Sequence, residues 1–438
     1  MMPRGLWAFP GAFIVLYEAG MSEEWSGFVV DKNEISRISY GAFQHQFSGP
    51  QNLKKRKALK FIVVSGLLCA AVLGFLHFSF SHDRTVPYQF TKIADTRGGV
   101  FRSFYLSPSI DGQGMVLFRA NLTGGGQGIF QSNGLITTQI ATTTEKFEAF
   151  RGSPAVSDNG KIVFLGSRSS EDFGYSRGTD ITGDFLYSNE EFVELGDLVI
   201  NNGGMLAFKG KKARGRRQYN QVFLGDGGRP IAIPDSKNNQ IGKLSLNNHG
   251  HVVFSTGDKI YVSDGKITRL LTDGVKEYFL FYRPVINDFG MVVVQTASEP
   301  RKGWIVKHLV VITDGQVQVL ASTQGPFHDF MSLHALNNHG HIVFSAVLKP
   351  GLPGLFTGPN PVRDIVIKQG DHLLGAKIVE GPVFSNRGLN DAGQIVFYAR
   401  LEDGTEGIYR ADPNILPSTG IVIKPGSTIS RSPSTLQK

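Results

Sequence analysis

Cysteine is nearly absent: Cys69 stands alone in 438 residues. One thiol permits neither an intramolecular disulfide nor a cysteine-rich metal site. Long stretches of helical apolar periodicity are few, which argues against a helical bundle. There is no Gly-x-Ser-x-Gly elbow, no phosphate-binding glycine loop and no paired-cysteine motif, so no catalyst, resident metal or cofactor is specified. What abounds is glycine, 53 residues of it, in frequent turn pairs. That composition suits an all-β chain.

The chain also repeats itself. Leu246-Asn247-Asn248-His249-Gly250-His251-Val252-Val253-Phe254 returns almost unchanged at Leu336–Phe344. The same pattern occurs at Ile110–Phe118, Val156–Phe164, Ile200–Phe208, Ile286–Val294 and Leu389–Phe397, seven copies in all. Its glycines are Gly114, Gly160, Gly204, Gly250, Gly290, Gly340 and Gly393, spaced 46, 44, 46, 40, 50 and 53 residues apart. A period of this size marks a repeat architecture.

Each copy reads as a hairpin. Asn and Asp side chains bond to nearby backbone and Gly accepts positive φ, so Val156-Ser157-Asp158-Asn159-Gly160 ends a strand and turns. Lys161-Ile162-Val163-Phe164 returns, apolar without alternation and therefore buried on both faces. A second hairpin follows, as in Lys259–Val262, Ser263-Asp264-Gly265 and Lys266–Leu271. Two hairpins in about 45 residues make one blade of a β-propeller. The expected fold is all-β: a seven-bladed β-propeller of four-stranded blades over 88–412, preceded by one transmembrane helix. Tyr88–Asp95 resembles a fourth strand without its first three, and Gly407–Arg410 a third strand without its fourth. Residues 88–95 should therefore close the seventh blade, with Gly420–Lys424 as the alternative.

Gly98-Gly99-Val100-Phe101-Arg102-Ser103-Phe104, Pro108, Asp111, Gly114 and Gly128-Ile129-Phe130 give the chain a specific likeness. It resembles bacterial choice-of-anchor tandem-repeat surface proteins, which carry an Asn-x-x-Gly-x-x-x-Ala-Phe motif, across roughly 88–412. The resemblance implies a propeller-like repeat displayed at the cell surface, and implies no activity. This chain uses Val or Leu where the motif has Ala, except at Ala207, and loses the Phe at Val294. A sialidase-type Asp-box is set aside, because the aromatic lies one residue further from the Gly and no Trp occupies it.

Outside the repeats, residues 1–53 read as a disordered cytoplasmic tail, with Pro10 and Gly11 interrupting its apolar run and Met21 an alternative start. Residues 54–81 read as a basic flank and transmembrane helix. Lys54-Lys55-Arg56-Lys57-Ala58-Leu59-Lys60 precedes an uncharged stretch, Phe61–Ser81, long enough to cross a bilayer. Basic residues stay cytoplasmic, which puts the propeller outside the cytoplasm, in the periplasm or at the cell surface. A cleaved signal peptide is the competing reading. Residues 82–87 are a spacer, and 413–438 a flexible C-terminal tail.

For function, the first-to-second and third-to-fourth strand turns are short and repetitive, whereas the loops at the other end vary. The varied end is the candidate binding face. It carries Lys209, Lys211, Lys212, Arg214, Arg216 and Arg217, a basic loop suited to anionic glycan, lipid headgroups or another envelope component. Without interleaved aromatics, and outside the cytoplasm, nucleic acid is not an expected partner. Aromatic pairs recur between blades: Phe101 and Phe104, Phe147 and Phe150, Tyr278 and Phe281, Phe327 and Phe330, with Phe384 alone. They suit either packing between blades or a stacking rim. The expected role is a membrane-anchored binding or interaction module. The alternative is an extracytoplasmic glycan-processing enzyme at the channel mouth, using groups such as His328, Asp329, His334, Asp371 and His372. His249-x-His251 and His339-x-His341 read as turn residues in non-adjacent blades.

Overall fold

The computed structural model describes residues 88–414, apart from 145, 179–183, 215, 238–239, 273–277 and 350, and the backbone of four strands between residues 5 and 39. Those early strands, Gly5–Phe9, Ala12–Ala19, Glu24–Asp31 and Ile35–Ser39, pair consecutively in one antiparallel sheet. These strands stand where a disordered tail is expected over residues 1–53. Phe9 pairs with Ala12, so the interruption at Pro10 and Gly11 falls between two paired strands. The basic flank and apolar segment of residues 54–81, and the alternative closing strand at 420–424, lie outside the described residues. Among those described, no helix is long and apolar enough to cross a membrane.

From Tyr88 onward the chain forms seven antiparallel sheets, one per motif. It is a seven-bladed β-propeller. Blade 4 is representative: Ile241–Leu246, Val252–Thr256, Lys259–Ser263 and Thr268–Leu270, each paired with the next. In blade 2 the segment after Asp172–Arg177 takes the fourth position through backbone bonds. Tyr175 N–H donates to the Tyr187 carbonyl at 2.9 Å, and Leu186 N–H returns to Tyr175 at 2.8 Å.

The apolar run after each motif glycine serves two interfaces. Val252 and Phe254 pack towards blade 3 with Leu224 and Val222, while Val253 packs towards blade 5 with Val292 and Val310. A strand buried on both faces has no polar side to show, which explains the missing alternation. The ring closes as the sequence suggested. Tyr88–Asp95 pairs with Glu406–Pro413, from Gly407 opposite Asp95 to Pro413 opposite Tyr88. The chain therefore enters the propeller at the end where the motif turns lie.

Candidate binding face

The seven motif turns meet at one end of the central channel, in a closed circuit of hydrogen bonds. In blade 5, Asn287 Oδ1 accepts the N–H of Phe289 at 3.1 Å and of Met291 at 3.0 Å, shaping its own turn. Its Nδ2 donates across to the carbonyl of Asn337 in blade 6 at 3.2 Å. The same reach joins Asn201 to Asn247, Asn247 to Asn287, Asn337 to Asn390 and Asn390 to Asp111, at 2.9–3.1 Å. Blades 1 and 2 have Asp111 and Ser157 here and lack the amide. Gly112 N–H and Asn159 Nδ2 make those two links instead, to the carbonyls of Asp158 and Asn202, each at 2.8 Å.

A second tier reinforces the first. Asn248 donates its N–H and Nδ2 to the two carboxylate oxygens of Asp288 at 2.7 and 2.9 Å, and Asn338 does the same to Asp391 at 2.8 and 3.1 Å. Asp158, Asp288 and Asp391 are thus each held by an amide of a neighbouring turn. Burial raises the pKa of Asp158, with the charge of Asp391 adding to it and the Asn202 amide opposing. Behind these turns is a cavity of about 120 Å³, lined in part by Arg387. Arg387 Nη1 donates to the Leu198 carbonyl of blade 3 at 3.2 Å. Burial lowers its pKa, and Asp197 pulls the other way.

At the opposite end, the inner strands bulge against their neighbours. The bulge between Leu195 and Leu198 presents Asp197. Lys209 lies 3.0 Å from it and Lys243 2.5 Å. Burial works against ionisation of Asp197, but Lys243 and Lys209 outweigh it and hold the pKa below the usual carboxylate range.

The structure divides the candidate residues sharply. The basic stretch is the top of a long hairpin, Leu206–Arg214 against Arg217–Gly225, rather than a loop. Lys209 is engaged by Asp197, and Lys211 by Glu194 at 2.7 Å. Lys212 lies over the rings of Phe192 at 4.5 Å and Phe223 at 5.2 Å. Arg214, Arg216 and Arg217 are exposed at the tip, with no ion pair among the described residues. The aromatic pairs, in contrast, are core. Phe104, Phe147, Phe150, Phe327, Phe330 and Phe384 are buried, and Phe101 packs edge-on against Phe118 and Phe130. Tyr278 meets His308 edge-on inside the interface of blades 4 and 5, and the Phe281 side chain lies outside the described residues. Among the described residues, these rings fill the blades and offer no stacking rim.

The groups considered for acid–base work do not converge. Asp329 is paired with Lys307 at 2.6 Å, Asp371 with Lys368, and His328 and His372 are exposed. His249 and His339 each donate a backbone N–H to the motif Asn Oδ1, at 3.1 and 3.0 Å, as turn residues do. His334 is 1% exposed, and burial lowers its pKa to about 4, against backbone contributions from Val293 and Arg283 that raise it. A histidine kept neutral in the fold stabilises above its unfolded pKa. That stability is lost as pH falls from about 6.5 through about 4. The expected loss is about 3 kcal/mol between pH 7 and pH 4. Denaturant midpoints across that range should show it, and His334→Gln should flatten the slope. An equal slope in the variant would assign the acid sensitivity elsewhere.

No known family profile and no curated protein matches the chain. Solved structures do. The chain resembles the GH74 xyloglucanase from Xanthomonas campestris at 12% identity and a TM-score of 0.40, over 74% of this chain and 53% of that one. It resembles the acylaminoacyl peptidase of Pyrococcus horikoshii at 13% identity and 0.44, over 70% and 52%. A polysaccharide lyase, Uly1, aligns at 11% identity and 0.39, over 71% and 89%. The chain spans about half the length of the first two. These likenesses concern the fold alone.

Proposed function

We propose that this chain is a membrane-anchored, extracytoplasmic binding module that takes an anionic envelope component on the hairpin of blade 3. One observation carries the reading. The motif residues are engaged in holding blades together, while Arg214, Arg216 and Arg217 project together at an exposed tip. Clustered exposed cations raise the local concentration of anionic partners and speed their capture. The charged flank and apolar run before residue 82 support an anchor, and the motif resemblance to choice-of-anchor surface proteins agrees. Because residue 88 enters at the motif end, a tether attached there leaves the hairpin tips at the far end. The enzymatic alternative calls for two carboxylates across a substrate. At the mouth Asp197 is shared by two lysines, which favours binding over hydrolysis.

The test is retention of the full chain on anionic glycan and anionic-lipid arrays. The parent should be retained and released by salt, because exposed charges are screened within about 10 Å at 0.1 M ionic strength. Arg214→Ser, Arg216→Ser and Arg217→Ser together should abolish retention. Undiminished retention of this variant would remove the hairpin from the proposal.

A further inference from the structure

Blade heights differ sharply in one place. Counted from the same motif position, the second strand runs nine residues in blade 3, Leu206–Arg214, and ten in blade 5, Val292–Arg301. In blade 4 between them it is Val252–Thr256, only five residues. The other four blades run seven or eight. At about 3.3 Å per residue, the flanking hairpins stand roughly 13 and 16 Å above blade 4. Among the described residues, blade 4 is the floor of a saddle at the varied end.

Sheet alternation decides what the two walls turn inward. On blade 3, Lys209 pairs across the hairpin with Val222, which packs in the core towards blade 4, and Lys211 shares that side. Together with Glu194, Asn220 and Ile241 they line a cavity of about 210 Å³ at the foot of the wall, where Asp197 and Glu194 already engage the two lysines. The cations of this wall without an ion pair among the described residues are Arg214, Arg216 and Arg217 above it. On blade 5, Val310 and Ile312 face blade 4. Trp304, an even number of residues earlier on the same strand, shares their side and is 49% exposed. Lys307 points the other way, to Asp329 of blade 6. Exposed Arg301 and Lys302 crown this wall as the arginines crown the other.

We infer that the saddle over blade 4 binds an extended acidic polysaccharide, with Trp304 stacking on a sugar ring and the exposed cations that crown the two walls, Arg214, Arg216 and Arg217 on one and Arg301 and Lys302 on the other, taking its carboxylates. The inference rests on the anionic-partner reading above and adds the second wall, the aromatic platform and the polymer class. An indole face suits the apolar face of a pyranose ring, and the Arg301 guanidinium, 5.8 Å from the centre of the Trp304 ring, sets a cation beside that platform. A single platform with cations on two sides fits a charged sugar chain. Single-stranded nucleic acid is held by successive aromatics, one per base.

The experiment measures binding of the full chain to polygalacturonate, with dextran as the neutral control. Binding should be specific to the acidic polymer. Trp304→Ala, and separately Arg301→Ser with Lys302→Ser, should each weaken it about tenfold without moving the unfolding temperature. If neither change matters while the triple-arginine variant loses binding, the saddle is wrong and the single-hairpin reading stands. Binding to phosphatidylglycerol vesicles or single-stranded DNA but not to polygalacturonate would overturn the polymer class. No binding to any of the three would overturn both readings.

Discussion

Asn287→Asp should lower the unfolding temperature of the full chain by about 4 °C, the shift expected for about 3 kcal/mol in a domain of this size. The change is one atom, and its effect follows from the circuit. Asn287 is 3% exposed and uses its Oδ1 inside its own turn and its Nδ2 towards the Asn337 carbonyl. Aspartate keeps the first role and reverses the second, so two oxygens meet where a donor met an acceptor. Burial would also raise the pKa of the new carboxyl. A raised carboxyl pKa contributes stability below the unfolded value near 3.9 and loses it as pH rises. The deficit against the parent should therefore shrink on acidification. A neutral surface change would show neither the size nor that pH signature. Calorimetric scans at pH 7 and pH 4 decide it, and a variant matching the parent at both would deny the amide its inter-blade role.

A larger loss is expected from Ile93→Asp. Ile93 is 4% exposed in the closing strand and packs with Phe104 of blade 1 and Val396 and Ile408 of blade 7. A carboxylate buried there has no counter-charge, and the expected destabilisation is about 4 kcal/mol or more. Its consequence differs from that of a core change elsewhere. When Tyr88–Asp95 leaves, Glu406–Pro413 becomes an unpaired edge strand, and such edges recruit other chains. The variant should therefore melt earlier and also associate, visible as dimers or larger species by light scattering. A variant that stays monomeric at parental stability would mean that residues 88–95 do not close the ring.

The blade count and the closing strand were legible because they depend on local chemistry. Each motif glycine sits at positive φ, for example Gly250 at 82° and Gly340 at 78°, and the turn that requires it can be read within nine residues. The inter-blade amide circuit was not legible. It links Asn247 to Asn287 and Asn287 to Asn337, 40 and 50 residues apart, and in sequence these look like turn formers and nothing more. The aromatic pairs were left open for a related reason. Their placement depends on a small residue two positions after the motif Phe: Ala120, Gly166, Gly210, Ala346 and Ala399. A Cβ on Gly166 would lie 2.5 Å from the Phe147 ring, and one on Gly210 equally close to Phe192. That spacing was present in the sequence and would have assigned Phe147 to the core. The basic stretch was read correctly in position but as a loop. Its continuation of both hairpin strands depends on pairing from Leu206–Gly225 to Arg214–Arg217, which charge-rich residues conceal.

Labour in the propeller is divided: motif residues hold the ring, and the hairpins bind. That division is tested most directly by measuring thermal unfolding and glycan retention side by side on two variants, Asn287→Asp and the triple Arg214→Ser, Arg216→Ser, Arg217→Ser. A crossed result is expected. Asn287→Asp lowers the unfolding temperature and, while folded, is retained like the parent; the triple variant unfolds like the parent and is not retained. Loss of retention by folded Asn287→Asp, or full retention by the triple variant, would contradict it.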